Sequence, residues 1–133
     1  MLQAAALPFR RAAGGDGQLE VLLVNSSSNR WIVPKGDIDD GMAPHLAAEK
    51  EAFEEGGVRG KIGERRLGRF HSRKEQDGAV ILLEVDVFPL EVTDELDRWP
   101  EAEERKRRWL PRAEAAEAVG EPELADIIRG FRG

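Results

Sequence analysis

The sequence predicts an α/β fold, and three observations carry that prediction. Two apolar, β-branched runs, LEVLLVN (Leu19–Asn25) and GAVILLEVDVFPL (Gly78–Leu90), have the composition of buried strands. Between them the period changes: in MAPHLAAEKEAFEEGG, Leu46, Ala47, Ala52 and Phe53 recur at near-helical spacing. The tail PRAEAAEAVGEPELADIIRGFRG reads as two short helices broken at Gly120–Pro122. Strands and helices mix without regular alternation. The 133 residues suit one core, hence one domain spanning 1–133.

In chain order, residues 2–9 read as a first strand, weakened by its alanines. GGDG (Gly14–Gly17) is a turn signal and joins that strand to LEVLLVN as a hairpin. SSSN is a polar loop, RWIVP a short β-rich run stopped by Pro34, and KGDIDDG a loop. Pro44 suits a first helical turn and Gly56 or Gly57 an end, which predicts a helix from about Ala43 to Glu55. LGRFHS reads as a strand before the long apolar one. EVTDELDRWPEAEE (Glu91–Glu104) reads as a polar connection, and RKRRWLP (Arg105–Pro111) as a short strand with Trp109 and Leu110 facing the core.

Composition excludes several classes of function. With 41% hydrophobic and 35% charged residues the chain is globular with a well-solvated surface. A net charge of −6 argues against a broad nucleic-acid face. The absence of cysteine removes disulfides, thiolate catalysis and Cys-ligated zinc, and two histidines do not make a His-rich metal site. No apolar run approaches the ~20 residues of a membrane span. The N-terminal positive charges follow the apolar stretch, the reverse of a signal peptide. A cytoplasmic protein with no nucleic-acid or membrane partner is expected, as monomer or homodimer.

The stretch KEAFEEGG holds Glu51, Glu54 and Glu55 at spacings that share one helix face. Carboxylates so placed repel one another and sit at the helix end where the macrodipole disfavours negative charge. A divalent cation relieves both penalties, and hard oxygen ligands select Mg²⁺, Mn²⁺ or Ca²⁺. On spacing alone a solvated acidic face is the more ordinary explanation.

The flanks change that balance. From Gly36 one reads five residues, Met42, seven residues, then Lys50 to Val58. This resembles the Nudix box, G-x5-E-x7-R-E-U-x-E-E-x-G-U with U apolar. Gly36, Glu51, Ala52, Glu54, Glu55, Gly57 and Val58 match, while Met42 replaces Glu and Lys50 replaces Arg. EVLLVNSSSNRWIVPKG, RLGRF and ERKRRWLPRAEAAEAV are similar to the branch that hydrolyses diphosphoinositol polyphosphates and diadenosine polyphosphates. The likeness extends over residues 5–119.

The resemblance implies an α/β/α sandwich around a mixed sheet. It implies hydrolysis of a diphosphate bond by water attack on phosphorus, with Mg²⁺ as cofactor and Mn²⁺ as a substitute. Carried over by position, Glu51, Glu54 and Glu55 become metal ligands, with the Gly36 carbonyl added. Glu51 or Glu54 is the first choice of general base, and the acidic loop Glu101–Glu104 the second. Arg10, Ser27, Arg30, Lys35, Arg105 and Arg107 are the leading substrate-binding residues, and Arg73, Lys74 and Lys106 further candidates. Arg105–Lys106–Arg107 is expected at the rim of the polyphosphate cleft. Met42 and Lys50 occupy positions that the family joins by a salt bridge. Here the Lys50 stem is expected to pack on Met42, its ammonium to reach Glu54 or solvent, and the helix to be held more loosely. A house-cleaning nucleoside triphosphate pyrophosphatase and a non-catalytic nucleotide- or polyphosphate-binding module are the alternative functions.

Overall fold

Every strand in this structure serves one mixed sheet, and its central strand is the alanine-rich N-terminal segment. The computed structural model describes residues 1–12, 18–25 and 30–133. The GGDG turn and the SSSN loop lie outside them. The elements run β1 (Leu2–Arg11), β2 (Leu19–Asn25), β3 (Trp31–Ile32), β4 (Lys35–Asp37), α1 (Pro44–Gly56), β5 (Val58–Ile62), β6 (Gly68–Gln76), β7 (Ala79–Glu95), β8 (Arg107–Pro111), α2 (Arg112–Ala118) and α3 (Pro122–Gly130). β1 pairs parallel with β7 and antiparallel with both β2 and β4. β8 continues the sheet beyond β2, and β6 and β5 pair antiparallel with β7.

The two faces of β1 explain its composition. Ala5, Leu7 and Phe9 enter one core with Phe70, Val85, Leu110 and the residues of α2 and α3. Ala4 and Ala6 enter the other, against Ala47, Ala48 and Ala52 of α1. A strand buried on both faces has no polar alternation to show, and small side chains let the helix lie close on the sheet. The result is the expected sandwich, with α1 on one side and α2 and α3 on the other.

Three expectations need correction. Within KGDIDDG, Lys35–Asp37 is a strand, with Gly36 opposite Ala4. EVTDELDRWPEAEE is strand as far as Glu95, because β7 outruns β6 and turns its last third to β5. β5 itself was not read, since its alternate residues are exposed and its VRGKI run carries two cations and a glycine. The remaining elements fall where the patterns place them, with α1 at Pro44–Gly56.

The alanine interface generates the first prediction. Ala48 is fully buried, so Ala48→Leu has no room and should lose about 1–3 kcal/mol in urea unfolding. Leu46→Ala, on the exposed side of the same helix (44% exposed), should stay within ~0.5 kcal/mol. Equal losses would show that the α1–β1 contact is not close-packed.

Candidate active site

The site is built where the last turn of α1 meets the start of β4. α1 begins at Ala43, which offers no side-chain cap, with Pro44 in the first turn. It ends at Gly57, whose φ of +65° is left-handed and whose N–H reaches the Ala52 and Phe53 carbonyls. Glu51, Glu54 and Glu55 therefore leave the helix within its final turns. Glu51 and Glu55 are buried, at 8% and 7% exposed, and Glu54 is half-buried.

Gly36 leaves room for the Glu51 carboxylate, which any side chain there would push aside. A Cβ there would lie 2.5 Å from the Glu51 Cδ and 2.6–2.7 Å from its two oxygens. The Glu51 carboxylate thus packs directly on the β4 backbone. Glu55 is held from two sides: its Oε1 accepts the Lys35 backbone N–H at 3.1 Å, and its Oε2 pairs with Arg105 Nη2 at 3.2 Å. Arg105 also donates Nε to Glu101 at 2.8 Å and Nη1 to the Asn25 carbonyl at 2.8 Å.

Burial raises the Glu51 carboxyl to about 7, with repulsion from Glu54 adding to it and Lys50 opposing. Burial likewise raises Glu55 to about 7, against the attraction of Arg105 and the Lys35 hydrogen bond. Glu101 raises both from across the site. Among the described residues no three Asp, Glu or His side chains already converge as an ion-binding set. The donor chemistry nevertheless fits a hard divalent cation, because buried neighbouring carboxylates gain most from one, and Mg²⁺ shares its shell with substrate oxygens.

A cleft of about 810 Å³ opens beside Glu55. Arg30, Lys35, Arg73, Lys74 and Arg105 bring cations to it, and Trp31, Ile32 and Val80 give it an apolar wall. Glu75 and Glu121 are its other acids. Lys35 donates its ammonium to the Gln3 side chain at 2.9 Å, and burial holds its pKa below the usual value although Glu55 opposes this. Arg30 lies 3.8 Å from Glu121. Ser27 lies outside the described residues.

Arg10 and Arg107 are not brought to this cleft. Arg107 stacks on Trp99, 4.0 Å from the ring centroid, and donates Nη1 to the Gly56 and Gly57 carbonyls at 3.1 and 3.3 Å. Arg10 stacks on Trp109 at 4.0 Å and pairs with Glu20 at 2.9 Å. Arg10 of β1 and Arg107, the first residue of β8, also share Glu95, at 3.7 and 3.4 Å. Lys106 is exposed and its N–H binds the Asn25 side chain. Lys50 also differs from expectation: its ammonium pairs with Asp39 at 2.9 Å, while Met42 packs in the α1 core. Sequence reasoning missed Ser72 and Glu121 of the cleft, and the contacts of Trp99 and Arg107. Only the helix-end dipole, which asks for a cation, hinted at the last.

These carboxyls generate a pH prediction for metal-free protein. Each folded pKa is near 7 against 4.5 unfolded, so the unfolded chain gives up the proton first as pH rises. The stabilising contribution is complete below about pH 4.5, shrinks toward 7 and is absent above it. Asp86 does not act in this window: burial raises it, but hydrogen bonds from Arg69 and Arg66 prevail and keep it low. Unfolding free energy in chelator should fall between about pH 4.5 and about pH 7, by roughly 1–3 kcal/mol per group. Glu51→Gln should flatten the slope. A stability that climbs across this window would contradict the burial of both carboxylates.

A family model described as the NUDIX domain matches residues 2–131. "Nudix hydrolase 12, mitochondrial" of Arabidopsis thaliana is 40% identical over 105 residues, covering 75% of this chain and 52% of that protein. "Diphosphoinositol polyphosphate phosphohydrolase 3-beta" of Bos taurus is 39% identical over 112 residues, covering 81% of this chain and 62% of that one. The chain thus spans little more than half the length of these relatives. The structure of a C. elegans Ap4A hydrolase binary complex shares the fold, with a TM-score of 0.69 at 22% identity, covering 96% of this chain and 92% of that one. The model, the relatives and the box at Gly36–Val58 agree: this chain belongs to the Nudix family.

Proposed function

We propose that residues 1–133 form one catalytic domain, a divalent-cation-dependent pyrophosphohydrolase that cleaves a diphosphate bond in a polyphosphorylated small molecule. Diadenosine polyphosphates and diphosphoinositol polyphosphates are the substrate class, Mg²⁺ the cofactor and Mn²⁺ its substitute. The observation that carries this is Glu55. It is a buried box carboxylate, and it opens directly onto a cleft carrying five cationic side chains in a protein of net charge −6. The relatives named for diphosphoinositol polyphosphates and Ap4A support the substrate class.

Glu51, Glu54 and Glu55, with the Gly36 carbonyl, would hold the cation. When bound, it would neutralise diphosphate oxygens and lower the pKa of an attacking water. Lys35 and Arg105 take the phosphate oxygens nearest Glu55, Arg105 offering a planar fork and Lys35 a point charge. Arg30, Arg73 and Lys74 bind the more distant phosphates and concentrate polyanions at the cleft. Trp31 and Ile32 give that cleft an apolar wall. A proton from the nucleophile passes to Glu51 or Glu54. A binding-only module is less well supported, because the Lys50–Asp39 pair restores a tie between loop and helix.

Two measurements test this reading. Glu54→Gln or Glu55→Gln should lower turnover at least ~100-fold, since a lost ligand forfeits several kcal/mol of charge stabilisation. Full activity in both would refute the site. Neutralising Arg73 and Lys74 should raise KM more for long phosphate chains than for short ones. The difference should shrink with salt, because exposed charges are screened beyond ~8 Å at physiological ionic strength. Arg10→Gln, away from the cleft, should shift KM equally at every chain length. A chain-length dependence in Arg10→Gln but not in the cleft variant would reverse the assignment.

A further inference from the structure

We infer that Trp99 and Arg107 are positioning residues for the box carboxylates, acting through the main chain of the helix end; this rests on the metal-site reading above. The observation is a complete set of donors. A helix leaves its last four carbonyls without intrahelical partners. In α1 those are Phe53, Glu54, Glu55 and Gly56, and each has a donor. Gly57 N–H serves Phe53 at 3.0 Å and Glu101 N–H serves Glu54 at 3.1 Å. Trp99 Nε1 donates to the Glu55 carbonyl at 3.0 Å, and Arg107 Nη1 to that of Gly56 at 3.1 Å.

Three of these four donors come from one segment, residues 96–107, far from the helix in sequence. The same segment sends Arg105 to the Glu55 side chain. Backbone and carboxylate of one residue are thus gripped from the same loop. The grip is rigid for two reasons. Arg107 stacks on the Trp99 ring, so neither donor can swing without disturbing the other. Both also press on Gly57, where a Cβ would lie 2.6 Å from Arg107 Nη1 and 2.7 Å from Trp99 Cδ2. A cation site tolerates only small ligand displacements, so support of the helix end sets affinity as well as stability.

Trp109 provides a matched comparison. It too donates its indole N–H, to Glu95 at 3.1 Å, and carries a stacked arginine, Arg10, at 4.0 Å. It makes none of the bonds to the helix end described above, and touches the grip only indirectly, through Glu95, which also pairs with Arg107 Nε at 3.4 Å. The experiment is Mn²⁺ binding to the full chain without substrate, by electron paramagnetic resonance, alongside thermal unfolding. Trp99→Phe keeps the ring and removes the donor; it should weaken Mn²⁺ binding about three- to tenfold. Trp109→Phe should lower thermal stability comparably and weaken Mn²⁺ binding less than Trp99→Phe does, since it reaches the helix end only through Glu95 and Arg107. Arg107→Lys, which keeps the charge but not the planar fork, should shift affinity in the same direction as Trp99→Phe, and serves if that variant does not fold.

Glu54→Gln separates the two layers of the inference. If it abolishes Mn²⁺ binding while Trp99→Phe and Arg107→Lys bind like wild type, the positioning role is overturned and the metal site stands. Equal weakening in Trp99→Phe and Trp109→Phe would also overturn it, as a general loss of stability. Unchanged binding in Glu54→Gln would remove the metal site and this inference with it.

Discussion

The C-terminal end of α1 is the constraint on which the rest of this structure depends. Its N-terminal end has no side-chain cap, and its sheet contact is made of alanines, which grip weakly per residue. The last turn therefore has to be held by hydrogen bonds. A buried carbonyl left without a donor costs about 1–3 kcal/mol, so donors for the whole turn are a condition of the helix ending where it does. The 96–107 segment supplies them because β7 overruns β6, carries the chain to β5 at Glu95 and returns it over Gly57 toward β8. The geometry of the box follows from the path of a connection that looks featureless in sequence.

Electrostatics at the same helix end pulls the other way. Glu51 and Glu55 are buried near like charges, and both are raised to about 7 in consequence. The structure compensates only in part. Arg105 and the Lys35 amide answer Glu55, and Arg107 answers the helix dipole, but Glu51 rests against Gly36 with no cation at hydrogen-bond distance among the described residues. A site with a residual negative charge, facing a cleft with an excess of positive charge, is polarised toward a cation and a polyanion together.

The legible parts of this sequence were those with a local cause. The box spacing, Pro44, Gly57 and the apolar run of β7 each act through near neighbours, and the helix and its ends were recovered from them, with Glu51, Glu54 and Glu55 on its last turns. What was illegible depended on partners distant in the chain. β4 is a strand only because β1 lies beside it, and β5 only because β7 extends to meet it. Arg105 and Arg107 look equivalent in RKRR, yet one faces the cleft and the other caps the helix, a division set by where the irregular segment ends and β8 begins. Trp99 sits in a polar run whose pattern carries no period, so nothing local announces its bond to Glu55.

The two departures from the family box take on meaning in this light. A Glu–Arg pair would tie the 37–43 loop to the helix by charge. Here the loop is tied by two separate contacts. Met42 goes inward to the α1 core with Ile38 and Ile62, and its N–H closes a turn on the Asp39 carbonyl at 3.0 Å. That turn presents Asp39 to Lys50 at 2.9 Å, with both side chains substantially exposed. An exposed pair contributes at most ~1 kcal/mol, and a partly buried methionine only a fraction of the about 1.5–3 kcal/mol of full burial. The apolar contact and the ion pair together hold the loop against the helix. Replacing a box pair by an anchor and a surface bridge keeps Gly36 against Glu51, which is the contact the box arrangement needs.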